Sequence, residues 1–152
     1  MNRMLAIDPG LKTGWALLKD DSQIIHGCWN LAGNRFEGAG MRYIRFLKYL
    51  DEIGKVDLVL YEEVRRHLGT DAAHLYGAII SHLQAWCEER KIPYQGVPIG
   101  TWKRFITGKG NSNKFKVFET IKKRYGFEPQ TFDEADALGI LKWGEKEYGG
   151  KK

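Results

Sequence analysis

The residues best suited to chemistry are acids at the boundaries of apolar segments. Asp8 closes the run Met4–Asp8, Glu62 and Glu63 follow Val56–Tyr61, and Asp133 and Asp136 fall in the first turns of a C-terminal helical segment. Asp133 and Asp136 are spaced i, i+3 and project from one helix face. Thr131 and Glu134 have the spacing of a capping box, which gives Glu134 a structural task. Asp133 also suits a helix N-terminus through the dipole. Asp136 lies deeper, among Ala135, Ala137 and Leu138, and a carboxylate in such surroundings is costly unless paired or metal-bound. Carboxylates that meet at strand ends repel one another. A divalent cation resolves the repulsion, and hard oxygen donors select Mg²⁺ or Mn²⁺. Two ions about 4 Å apart on such a cluster are an apparatus for phosphodiester hydrolysis, one activating water and the other stabilising the leaving oxygen.

Elements must bring these acids together. Met4–Asp8 reads as a strand ending in the Asp-Pro-Gly turn, and Gly14–Lys19 and Ile24–Leu31 read as two more, joined by a hairpin turn at Asp20-Asp21-Ser22. Asn34 with Glu37 three residues on predicts a helix N-cap, and the helix runs to about Ile53. Val56–Tyr61 is apolar and rich in strand formers, the pattern of a buried parallel strand. Apolar residues from Ala72 to Cys87 recur at helical spacing, so Asp71–Arg90 is a long helix. Tyr94–Ile99 is a last strand, followed by a short helix with Trp102 and Phe105, a loop at 107–113, and helices over Lys114–Tyr125 and Phe132–Lys146. The expectation is an α/β fold: a mixed five-stranded sheet, antiparallel at the start and parallel afterwards, covered by helices on both faces. Residues 1–148 form one domain and 149–152 a flexible tail.

Composition narrows the function. The chain has 152 residues, 43% hydrophobic and 28% charged, which fits one ordinary globular domain and excludes a full kinase, a helicase motor or a TIM barrel. It has no 18-residue apolar run, and the apolar stretch before Asp8 is too short for a signal peptide, so an intracellular, cytoplasmic location is expected. Cys28 and Cys87 match no metal-binding spacing and read as reduced core thiols. The net charge is +5, unevenly spread: between Ile99 and Gly126 eight Lys and Arg face the single acid Glu119. Lys103, Arg104, Lys109, Lys114 and Lys116, with Asn111 in the loop and aromatic residues between them, form a stripe suited to a polyanion, and Arg65 and Arg66 add a smaller cluster. Two motifs mislead. Asp133-Glu134-Ala135-Asp136 spells a helicase tetrad without a preceding phosphate-binding loop, and Gly108-Lys109-Gly110 lacks the Ser/Thr such a loop requires. His74 and His82 read as surface or satisfied histidines, and Trp29, Trp86, Trp102 and Trp143 as core residues.

Four segments carry a resemblance. Ala6-Ile7-Asp8-Pro9-Gly10 with Thr13-Gly14, Leu60-Tyr61-Glu62-Glu63-Val64, Gly108 to Lys114, and Asp133-Glu134-Ala135-Asp136-Ala137-Leu138 resemble, in order and spacing, the RuvC-type Holliday junction resolvases. The resemblance covers nearly the whole chain. It implies a ribonuclease H-like fold and a Mg²⁺-dependent homodimeric endonuclease that cuts branched DNA at four-way junctions. It makes Asp8, Glu62, Asp133 and Asp136 the metal carboxylates and places Lys114 near the scissile phosphate. It also selects Glu62 over Glu63, through the pattern Glu-x-Val; strand parity leaves both open, because both faces of this strand should be covered. Arg65 stands where cellular members of that family carry an aromatic residue, which implies backbone-led recognition. That basic loop and the compact length look more like bacteriophage-type members. Two other functions remain open at this point: a YqgF-like nuclease of structured RNA, and a non-catalytic junction-binding module. Tyr76, Ile80 and Cys87 widen the apolar stripe of the long helix Asp71–Arg90 beyond what one sheet face requires; the surplus can pack under a neighbouring helix of the same chain or serve a second protomer, and the resemblance favours a homodimer using this helix and its surroundings.

Overall fold

The computed structural model describes residues 3–67 and 69–149. Strands β1 (Met4–Asp8), β2 (Lys12–Leu18) and β3 (Ile24–Asn30) form an antiparallel meander, and β4 (Leu58–Glu63) and β5 (Tyr94–Pro98) add in parallel beyond β1, giving the order β3-β2-β1-β4-β5. Helix α1 (Met41–Ile53) leads into β4 and α2 (Thr70–Arg90) into β5. Helices α3 (Ile99–Thr107), α4 (Lys114–Tyr125) and α5 (Phe132–Gly144) follow the sheet, and a π-helical turn, Glu145–Gly149, ends the described chain. The mixed five-stranded sheet expected from the sequence is therefore present.

Alternation along the central strands feeds two cores. Leu5, Ile7, Val59 and Tyr61 pack with α1 and α2, while Met4, Ala6, Leu58 and Leu60 pack with α3, α4 and α5. Both faces of β1 and β4 are covered, which is why these strands are apolar throughout. The same alternation aims Asp8 and Glu62, next in phase with Ala6 and Leu60, toward α5. β1 and β4 pair in parallel up to Ile7 opposite Tyr61. The next residues are the two acids, so they emerge side by side on strands roughly 4.8 Å apart.

Several boundaries differ from expectation, each for a physical reason. Asn34 does not cap α1. Its side chain accepts from Phe36 N in a local turn and donates to Glu37, and Gly38 and Gly40 delay the helix to Met41, glycine being a poor helix former. Strand β4 begins at Leu58 and runs through both glutamates, because Glu62 and Glu63 pair with Val97 and Pro98 of β5. Helix α5 ends at Gly144 and passes into the π turn instead of continuing to Lys146. The apolar stripe of α2 is spent largely inside the protomer: Ile80 and Cys87 are buried beside Ile79, Leu83 and Trp86, and the Tyr76 hydroxyl is bound to the end of β4. Cys28 and Cys87 are both free. Residues 150–152 of the expected tail lie outside the described residues.

Candidate active site

Four elements meet at the C-terminal ends of β1 and β4. The Asp8-Pro9-Gly10 turn is closed by buried Thr13, whose hydroxyl donates to Gly10 O at 2.6 Å. Tyr76 of α2 fixes the end of β4 by donating its hydroxyl to Glu62 O at 2.8 Å and accepting from Val64 N at 3.1 Å. Trp102 of α3 is fully buried and donates its indole N–H to Glu62 Oε2 at 3.2 Å. α5 is anchored at its start by Thr131, whose side chain accepts from Glu134 N, while Glu134 Oε1 accepts from Gln130 N. This differs from the expected capping box by one residue, because the other Glu134 oxygen is held by His26 of β3. Two glycines permit the close packing. A Cβ on Gly14, paired with Asp8 across the β1–β2 ladder, would stand 2.0 Å from the Asp133 carbonyl oxygen, and one on Gly139 would stand 2.7 Å from the Trp102 ring.

One carboxylate oxygen from each of Asp8, Glu62 and Asp136 lies within 4.8 Å of the others. Asp133 borders this trio and is hydrogen-bonded to Asp8. Without a counter-charge such a cluster resists ionisation. Burial, then the charges of Glu62, Asp136 and Asp133, hold Asp8 well above the ordinary carboxylate range. Burial, then Glu62, pushes Asp136 up to about 8. Glu62 and Asp133 are raised by burial as well; Lys103 and the Trp102 hydrogen bond oppose the rise at Glu62, and the Asp8 hydrogen bond, Lys114 and Lys12 oppose it at Asp133. Asp136 Oδ1 is buried with no hydrogen-bond partner. An orphaned carboxylate oxygen costs free energy that a cation would remove. Four carboxylates, an unpartnered oxygen and no His or Cys in the trio suit a hard divalent ion.

The other sequence-predicted residues divide into groups. Glu63 points away from the trio and pairs with Arg65 at 3.0 Å. Arg66 is exposed beside it. Lys114 opens α4 next to Asp133, its Nζ 4.9 Å from the Phe132 ring centroid and 5.5 Å from that of Phe115. Lys103 is not a peripheral contact: it acts on Glu62 and Asp136 and donates to Ser112 O at 3.1 Å, tying the 108–113 loop to the site. Arg104, Lys109, Asn111 and Lys116 are exposed around that loop. Farther along the stripe Arg124 donates to the carbonyls of Phe105 and Ile106, so it closes the end of α3. Sequence reasoning missed Trp102, Tyr76, His26 and Lys12. Only Trp102 had a signal, standing beside Lys103 in the basic stripe, and it reads from the sequence as an aromatic of that stripe and a core residue, not as a partner of a carboxylate.

Solved structures share this architecture. Thermus thermophilus RuvC in complex with a Holliday junction superposes with a TM-score of 0.79 at 20% identity, over 98% of this chain and 95% of that one. The yeast mitochondrial Holliday junction resolvase gives 0.59 at 19% identity, over 98% and 84%. The fowlpox virus Holliday junction resolvase gives 0.59 at 13%, over 95% and 99%. No protein-family model and no curated protein sequence matches the chain. At these identities the likeness establishes the fold alone, the mixed five-stranded α/β architecture that this chain shares with the solved RuvC structures.

Proposed function

We propose that the chain is a divalent-cation-dependent endonuclease that nicks four-way DNA junctions, with residues 1–148 as one nuclease domain. The observation that carries this reading is the convergence of Asp8, Glu62 and Asp136, with Asp133 at their edge, on a fold shared with three junction resolvases. Asp8, Glu62, Asp133 and Asp136 would hold Mg²⁺, or Mn²⁺ in its place. Bound there, one ion or a pair supplies a water of lowered pKa and charge neutralisation at the leaving oxygen. The chain's own residues do the rest. Trp102 and Tyr76 fix the side chain and the backbone of Glu62, so the carboxylate arrives already oriented. Lys114 stands next to Asp133, where its ammonium can meet a phosphate without a covalent role. Lys103 balances charge behind Glu62 and Asp136. Arg104, Lys109, Asn111 and Lys116 provide a basic rim for the DNA backbone, with Arg65 and Arg66 on the loop beyond β4.

A four-way junction is two-fold symmetric, and one protomer carries one carboxylate cluster, so paired nicking calls for a homodimer. With Ile80 and Cys87 buried inside the protomer, the exposed large apolar side chains nearest α2 are on α1, which packs on it: Met41 is 38% and Ile44 51% exposed. Sedimentation should give twice the monomer mass, and Ile44→Glu should halve it. The function itself is tested by offering labelled four-way junction, flap, duplex and structured RNA with Mg²⁺ or with EDTA. Selective, Mg²⁺-dependent nicking of the junction supports the reading; cleavage of RNA alone would move it to a structured-RNA nuclease.

A further inference from the structure

Beside the carboxylate cluster lies a groove that none of the foregoing uses. It has a volume of about 780 Å³, sits between α4 and the start of α5, and shares Asp133 with the cluster. Its walls are aromatic. Phe115 is 63% exposed, which is unusual for a phenylalanine on a rigid helix. Phe115 and Phe132 stand nearly at right angles (84°) with centroids 5.2 Å apart, and Phe118 backs Phe132 at 5.4 Å. Its rim is largely cationic: Lys114 lies over Phe115 and Phe132, Lys122 lies 5.8 Å from the Phe118 centroid, and of the two acids that line it, Glu119 is paired with Lys123 at 2.5 Å and Asp133 borders the carboxylate cluster. Thr131 and Gln130 add polar groups at the α5 end.

We propose that this groove binds an unstacked nucleobase of the strand that enters the carboxylate cluster, with Phe115 as the stacking residue. The proposal rests on the nucleic-acid reading of the site and deepens it. Charge complementarity selects the occupant. A nucleotide combines a flat π-face with an anionic phosphate, and the groove sets the exposed Phe115 ring beside the Lys114 ammonium group, with that of Lys122 near Phe118. Base–aromatic stacking tolerates any sequence, because every base has a π-face. The groove is also continuous with Asp133, so a base seated in it places its own phosphate near the carboxylates. Phe115 would therefore hold the strand open at the cut and favour junctions whose bases are unpaired there.

The test uses the full chain in EDTA, so that nothing is cleaved, with 2-aminopurine walked nucleotide by nucleotide across the mapped nick site of a junction and along a single-stranded oligonucleotide. Wild type should change the emission at one position flanking the nick. Phe115→Ala should abolish that change and weaken junction binding roughly 5- to 150-fold, the equivalent of about 1–3 kcal/mol for one base–aromatic stack. Phe115→Tyr should restore both, and Phe36→Ala, at an 84% exposed phenylalanine remote from the groove, should alter neither. An emission change that survives in Phe115→Ala overturns the proposal, as does a Phe115→Ala protein whose only defect is a lower sedimentation mass. A wild type that cuts junctions without perturbing any position defeats the stacking site and leaves the nuclease reading standing. A wild type that ignores junctions defeats the nuclease reading, and the single-stranded titration then decides the groove by the same criteria.

Discussion

Replacing Gly14 with alanine adds one methyl group at the point where α5 rests on β2. The new Cβ would lie 2.0 Å from Asp133 O, 2.3 Å from Asp133 C and 2.8 Å from Glu134 N, against an ordinary contact of 3.4 Å or more. All three atoms are backbone, so no side chain can swing aside; the start of α5 must retreat by roughly 1.4 Å, the shortfall that restores a normal contact. That retreat pulls Asp133 away from Asp8 and strains the Thr131 cap and the His26–Glu134 pair. Overpacking of this kind costs about 1–3 kcal/mol. For a chain of this size each kcal/mol moves the midpoint by roughly 2–4 °C, so thermal denaturation should show a loss of roughly 2–12 °C. Misplacing a catalytic group by about 1 Å costs on the order of 100-fold in rate, so nicking at a temperature where the variant remains folded should fall by that factor. A Gly14→Ala protein that melts within about 1 °C of the parent and cuts at the parental rate would refute the packing that brings α5 to the cluster.

Further outcomes follow from the same geometry. In the metal-free protein the folded carboxylates hold their protons to higher pH than the unfolded ones, so the folded state binds more protons between roughly pH 4 and 8 and stability must fall as pH rises through that window; melting curves in EDTA should show this decline, and Asp136→Asn should flatten it. Mg²⁺ competes with those protons, so its stabilising effect should be larger at pH 8.5 than at pH 6. Trp102→Phe keeps an aromatic ring against Gly139 but removes the donor to Glu62, and nicking should drop with a stability loss of about 1–3 kcal/mol, the cost of leaving a buried acceptor without its partner. Junction affinity should decline with log salt at a slope near −0.9 per phosphate contacted, and Lys114→Ala should lower rate more than affinity.

The sheet was legible because its central strands are continuous apolar runs with acids at one end, a pattern only a doubly covered strand tolerates. Of the two helices that bear on the cluster at their first turns, α5 announced itself through the Thr131 cap, while the Asn113 cap of α4 was read only as loop. Asp8 and Asp136 were legible in the same way, as charges with no local reason to sit among apolar neighbours, whereas Asp133 also suited the helix dipole and Glu62 was chosen over Glu63 only through the resemblance. What escaped reading depends on long-range contact. Nothing in the spacing shows that Trp102 reaches Glu62 forty residues away, that Tyr76 bridges the backbone of β4, or that His26 occupies the outer oxygen of Glu134. Glu62 could not be separated from Glu63 by strand parity until α5 was known to lie on the face of Ala6 and Leu60. The α1 boundary failed because Asn34 serves a turn as readily as a helix start.

The most direct measurement compares Asp8→Asn, Glu62→Gln and Glu63→Gln on one labelled four-way junction in Mg²⁺, scoring nicks on a denaturing gel and binding by mobility shift in EDTA. The account predicts that the first two lose cleavage and keep binding, while Glu63→Gln, which loses only its exposed pairing with Arg65, nicks at close to the parental rate. Near-normal nicking by Asp8→Asn, or loss of nicking in Glu63→Gln with Glu62→Gln active, would contradict it.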